Sequence, residues 1–215
     1  MIVAFDFDGT LAQSFSLCDE CFFKACRYGG KNLTKEGIRD LFGPTEEGII
    51  KKIFGDETYK PIFEYYLKIY AQKHEEFLPK LTPGALTTLK YLKKHNVTMV
   101  FLSGRSLKTW EYSKKFFALD GYFDKEYLGS LDGVNKPENL KKVMEDFNVK
   151  KEDIIYIGDS MQDIKSSSSV GVTILSLVYR KPKKYEFFKT LNPNNVYTNF
   201  GDILKRLKLE ISKRI

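Results

Sequence analysis

Apolar residues open the chain as a short unbroken run, Ile2-Val3-Ala4-Phe5, which then meets carboxylates at Asp6 and Asp8. That pattern predicts a buried strand over residues 2–7. The period then changes. Phe15, Cys18, Phe22, Ala25 and Cys26 fall on one face of a helix over residues 14–28. Thr34 opens a short helix with Glu36 near its start, and Phe42-Gly43-Pro44-Thr45 breaks it. Two more helices are predicted, from Glu46 to Phe54 and from Tyr59 to Glu76. The second tolerates Pro61 in its first turn.

Pro79, Pro83 and Gly84 mark a boundary, after which strands and helices alternate. Helix 84–94 leads to strand 97–102, helix 106–117 to a short strand at 125–128, and helix 137–147 to strand 154–157. Helix 161–169 leads to strand 172–178. An amphipathic helix over 202–215, with Ile203, Leu204, Leu207 and Ile211 on one face, closes the chain. Near-continuous apolar strands between helices predict an α/β fold: a doubly wound, mainly parallel, Rossmann-like sheet. The all-helical segment interrupts it after the first strand. The expected division is a core of residues 1–12 and 82–215 with a helical cap domain of residues 13–81.

Composition narrows the classes. No stretch approaches 18 apolar residues, so no membrane span is expected. The N-terminus lacks the basic start and apolar core of a secretory signal, which predicts a cytoplasmic protein. Cys18 and Cys21 form a CxxC, but with no second pair and two isolated histidines, reduced helical cysteines are expected. The net charge of +7 resides wholly in residues 180–215; the predicted cap holds as many acidic as basic side chains. A basic tail without a recognition motif predicts a solvated surface rather than a nucleic-acid site.

The chemistry gathers at strand ends. In a doubly wound sheet, ligands bind beyond the carboxyl ends of the strands. Four such ends carry Asp6-Phe7-Asp8-Gly9-Thr10, Ser103-Gly104-Arg105, Lys136 ahead of Pro137, and Gly158-Asp159-Ser160 with Asp163 one turn on. Converging carboxylates need a cation, and hard oxygen ligands suit Mg²⁺. A metal ion, a lysine and backbone N–H groups would form a phosphate clamp. An aspartate within it can act as a nucleophile, and a second carboxyl can exchange protons with the leaving group and water.

These four motifs, in this order, resemble those of the haloacid dehalogenase-like hydrolase superfamily, in its phosphoglycolate phosphatase-like branch with a helical cap. Phe42-Gly43-Pro44-Thr45 resembles a cap loop of that branch. The resemblance implies Asp6 as nucleophile and metal ligand. Asp8 would be general acid and base, giving the metal its backbone carbonyl, and Asp159 and Asp163 would complete the metal site. Ser103, the Gly104 N–H and Lys136 would hold the phosphoryl group. Ser160, the run Ser166–Ser169 and the lack of a glycine in Leu177-Val178-Tyr179-Arg180 depart from the usual pattern.

The expected activity is Mg²⁺-dependent hydrolysis of a small phosphorylated metabolite through an aspartyl-phosphate, with no nucleic-acid or membrane partner. Asp8 argues against a dehalogenase, whose halide needs no acid. A phosphosugar mutase and a noncatalytic phosphoryl-accepting regulator are the alternatives. Phe15, Thr45 and Glu46 are the candidates for substrate specificity. Oligomeric state is open between monomer and dimer.

Overall fold

A computed structural model describes residues 1–214. The strands are β1 (Ile2–Phe5), β2 (Thr98–Leu102), β3 (Lys125–Tyr127), β4 (Ile154–Gly158), β5 (Thr173–Leu177) and β6 (Val196–Tyr197). The helices α1 (Phe15–Tyr28), α2 (Lys35–Arg39), α3 (Glu46–Phe54) and α4 (Tyr59–Phe77) all fall between β1 and the next helix, α5 (Ala85–Lys94). The rest are α6 (Leu107–Phe116), α7 (Lys136–Asp146), α8 (Met161–Val170), α9 (Pro182–Leu191) and α10 (Phe200–Ser212).

The six strands form one sheet in the order β3-β2-β1-β4-β5-β6, and every pairing is parallel. Alternation along β1 sends Val3 and Phe5 to one face and Ile2 and Ala4 to the other, and both faces are buried. The first face packs under Trp110 of α6, Leu89 of α5 and Ile203 of α10. The second packs under Leu140 and Val143 of α7, Ile164 of α8 and Phe188 of α9. The fold is therefore α/β and doubly wound, as the sequence pattern predicts. β1 pairs Ile2 with Thr98 on one side and with Ile154 on the other. The chain crosses over at β1, so the ends of β1, β2 and β4 face one crevice.

Two elements differ from the predicted pattern. α9 forms inside the basic segment, because Phe188, 1% exposed, anchors an otherwise charged helix. β6 has only two half-buried residues at the sheet edge, too few to show a period. α10 starts at Phe200, where Asn199 caps it by accepting from Asp202 N at 2.9 Å. Ile215, the predicted end of that helix, lies outside the described residues. Among the described residues, no helix is long and apolar enough to cross a membrane.

Candidate active site

Asp6 continues β1 by donating its N–H to the Ile157 carbonyl at 2.9 Å. The chain then turns sharply: Gly9 N bonds Ala12 O at 2.8 Å and Ala12 N bonds Phe7 O at 3.0 Å. Gly9 has φ +79°, and a Cβ there would lie 2.3 Å from the Asp159 carboxylate. Glycine is required twice over, for the turn and to admit that side chain.

Oxygens of Asp6, Asp159 and Asp163 come within 4.8 Å of one another, all buried. Lys136, the first residue of α7, lies between two of them, 3.0 Å from Asp6 Oδ2 and 2.5 Å from Asp163 Oδ1. Asp163 is fully engaged. Its Oδ1 also accepts from Tyr156 Oη at 2.8 Å, and its Oδ2 accepts from Asp159 N, Ser160 N and Ser160 Oγ. Burial opposes its charge, but Lys136 and these donors hold its carboxyl below the ordinary value. Asp6 goes the other way. Burial, with Asp163, Asp8 and Asp159 crowding it, pushes its carboxyl up to about 7 against the pull of Lys136. Burial likewise raises Asp159.

A cation fits this donor set. Asp159 Oδ1 is buried without a partner, as are Ser103 Oγ and Thr10 Oγ1. Unpaired buried acceptors and hydroxyls are costly and uncommon, so each points to a group that completes it. All-oxygen ligation built on carboxylates suits Mg²⁺.

Asp8 stands apart from the cluster. Its Oδ2 accepts from Arg105 Nε at 3.0 Å, and its Oδ1 accepts from Ser14 Oγ. Arg105 is 1% exposed, a full charge inside the protein. Burial disfavours that charge, but Asp8, Tyr70 and Glu46 outweigh it and keep the guanidinium protonated. Arg105 donates to Tyr70 Oη at 2.6 Å and lies 3.7 Å from Glu46. Glu46 in turn accepts from Ser106 N and Thr109 Oγ1, each at 2.7 Å, tying α3 to the start of α6.

A cavity of about 250 Å³ joins these groups, lined among others by Asp6, Asp8, Ser103, Gly104, Lys136 and Asp159. It lies just below the usual range for ligand pockets, roughly 300–1,000 Å³. Its opposite wall comes from α1, α3 and the loop before α3. That loop docks on residues 129–135: Thr45 N donates to Ser130 O at 2.8 Å, and a Cβ on Gly48 would meet Leu131 O at 2.1 Å. Phe15 and Glu46 line the cavity as expected. Thr45 does not; its hydroxyl caps α3 by accepting from Gly48 N at 3.2 Å.

Seven predicted site residues, Asp6, Asp8, Ser103, Gly104, Lys136, Asp159 and Asp163, thus meet at one end of the sheet. Nothing in the sequence marks Arg105 for a role, although it directly follows Ser103-Gly104 at a strand end. The basic run near 180–184 reads in the sequence as solvated surface. Instead Lys184 Nζ donates to Asp159 Oδ2 at 3.0 Å and to the Asp159 carbonyl, and Lys181 approaches Oδ2 at 4.0 Å. Phe188, buried one turn along α9, draws Lys184 inward. The cysteines are free and buried, and burial raises all three thiols, Cys18 to about 12.

Comparison with known proteins agrees with this geometry. The pyrophosphatase PpaX of Halalkalibacterium halodurans is 26% identical, over 94% of each chain. The glyceraldehyde 3-phosphate phosphatase of Pyrococcus furiosus is 25% identical, over 97% of this chain and 93% of its own. A haloacid dehalogenase-like family hydrolase from Streptococcus pneumoniae shares the fold, with a TM-score of 0.73 and 18% identity over 96% of this chain and 97% of its own. The family model for haloacid dehalogenase-like hydrolases matches residues 3–177, which carry all four strand-end motifs, and the chain belongs to that family.

Proposed function

We propose that this phosphatase cleaves small-molecule phosphate monoesters in two steps through an aspartyl-phosphate on Asp6, with Mg²⁺ as cofactor. The observation that carries the reading is the buried cluster of Asp6, Asp159 and Asp163 around Lys136, with Ser103 Oγ and Asp159 Oδ1 left unpaired. A transferring phosphoryl group and a cation would satisfy both atoms. Residues 13–81 act as a cap over the core formed by residues 1–12 and 82–215.

In the first step an Asp6 carboxylate oxygen attacks phosphorus. The bond to the leaving oxygen breaks, and Asp8, entering this step as the carboxylic acid, gives that oxygen its proton and is left as the carboxylate. In the second, water attacks phosphorus, Asp8 takes its proton, and the bond to Asp6 breaks to release phosphate. Ser103 Oγ, the Gly104 N–H and the Lys136 ammonium hold the phosphoryl oxygens. Asp6, Asp159 and the Asp8 carbonyl would hold Mg²⁺; Asp163, expected from the sequence to complete the metal site, has both oxygens taken by Lys136, Tyr156, Ser160 and the Asp159 N–H and would instead orient Asp159 and Lys136. Mg²⁺, when bound, supplies positive charge opposite the phosphoryl oxygens and the crowded carboxylates. Arg105 and Ser14 orient Asp8.

Hydrolysis of p-nitrophenyl phosphate with Mg²⁺ tests the reading. Asp6→Asn is expected to lower kcat about a thousandfold or more. Mass spectrometry of acid-quenched wild type should find phosphate on Asp6. A wild-type rate in Asp6→Asn rules out the covalent route.

A further inference from the structure

The two halves of the cavity differ in chemistry. The sheet half is polar and charged. The helical half, with the loop facing it, presents Phe15, Phe22, Phe42, Pro44, Ile49 and Val134. Cys18 adds a thiol that burial keeps neutral. The one other ionisable residue on that half is Glu46, a carboxylate whose two oxygens are already held by Ser106 and Thr109.

Cations are scarce where the leaving group would lie. Among the described residues, Lys136 and Arg105 are the only basic ones lining the cavity, and both are committed, Lys136 to Asp6 and Asp163 and Arg105 to Asp8. Arg39, on α2, pairs with Asp19 at 2.5 Å. Lys181 lies over the Phe15 ring at 4.9 Å but is drawn to Asp159 and does not line the cavity. A second anionic group on the substrate would face aromatic rings, whose faces carry partial negative charge, and the Glu46 carboxylate. An unpaired charge in such surroundings is strongly disfavoured.

We infer that this cavity selects phosphate monoesters whose leaving group is uncharged and apolar, a ring or short hydrocarbon, and discriminates against esters bearing a second anionic group. The inference rests on the phosphohydrolase reading above and adds the substrate class. It points away from pyrophosphate and from phosphoglycolate, whose second anionic group would meet no uncommitted cation among the residues lining the cavity.

The test compares benzyl phosphate with its 4-carboxybenzyl analogue, two esters of similar leaving-group basicity, alongside phosphoglycolate and pyrophosphate, all with Mg²⁺. Benzyl phosphate should show kcat/KM at least about tenfold above each anionic substrate. Phe42 is 42% exposed at the cavity wall, so Phe42→Lys should fold, as checked by circular dichroism. It should shift the benzyl to carboxybenzyl preference about tenfold toward the anion. Efficient hydrolysis with the carboxylated substrates equal or preferred overturns the substrate class and leaves the hydrolase reading standing, as does an unchanged preference in Phe42→Lys. No hydrolysis of any ester overturns both.

Discussion

Lys184 donates to Asp159 Oδ2 at 3.0 Å while Oδ1 of the same carboxylate, also buried, has no partner. One oxygen is thus held by a tethered cation and the other is open. Lys184→Ala removes a competing positive charge and is expected to tighten Mg²⁺ about threefold to tenfold, the Coulomb term being reduced because the lysine is partly exposed. Isothermal titration calorimetry reads this directly, and weaker binding would show that the lysine instead holds Asp159 in its ligating pose.

The raised Asp6 carboxyl sets a pH dependence. Its folded value, about 7, lies above the ordinary 3.8. The metal-free protein therefore binds a proton there that the unfolded chain has lost, and this contribution to stability fades as pH rises from about 4 through 7. A Mg²⁺ ion ligated by Asp6, as proposed, would have to displace that proton below about pH 7. Its apparent affinity should rise up to about tenfold per pH unit from pH 5 to 7 and then level. Thermal shift by Mg²⁺ across this range is the measurement, and the slope should become shallower in Asp6→Asn, Asp159, also raised, being left to supply the remainder.

Arg105 serves two carboxylates, Asp8 and Glu46, both approaching its Nε. Arg105→Met should cost about 3–5 kcal/mol in urea unfolding, because both acids lose a buried partner. Turnover of alkyl esters should fall more than that of aryl esters, since only the poorer leaving group needs a well-placed acid. Arg105→Lys should restore little, as an ammonium lacks the fork that also reaches Tyr70.

His74 gives a separate stability test. Its ring is buried against Phe116 and Phe117 and accepts or donates at Ser113 Oγ, 3.0 Å away. Burial first, then the Arg105 charge, lowers its pKa from 6.5 to about 4. Between these values the unfolded chain takes up a proton that the folded protein refuses, so stability should fall as pH drops from about 6.5 to 4. His74→Phe, which keeps a ring and removes the proton site, should flatten that part of the urea-midpoint profile.

Much of this site is legible in residue order, because a parallel sheet converts strand ends into spatial neighbours. Asp6 and Asp159 needed only the register of β1 on β4 to meet. Lys184 and Arg105 needed more. A lysine in a basic run reads as surface until Phe188 anchors its helix, and nothing local shows that it turns toward Asp159. Arg105 becomes a buried positioning residue only because packing brings Glu46 and Tyr70 from the helical segment. Thr45 misled for a local reason: a threonine beside a Gly-Pro break serves equally as a helix cap. β6 was illegible because two residues carry no period.

The central place of β1 also bears on how the protein folds. The strand is made before the other strands of the sheet, yet its partners β2 and β4 lie far along the chain. Contacts of such sequence separation carry a large loop-closure cost before they are rewarded. Helices α1 to α4, whose contacts are mostly with one another, can form while β1 waits. The apolar run Ile2–Phe5 is then an unpaired strand exposed for the longest time, the segment most open to pairing with another chain. Aggregation during slow synthesis or refolding should therefore begin at the same strand that ends in Asp6.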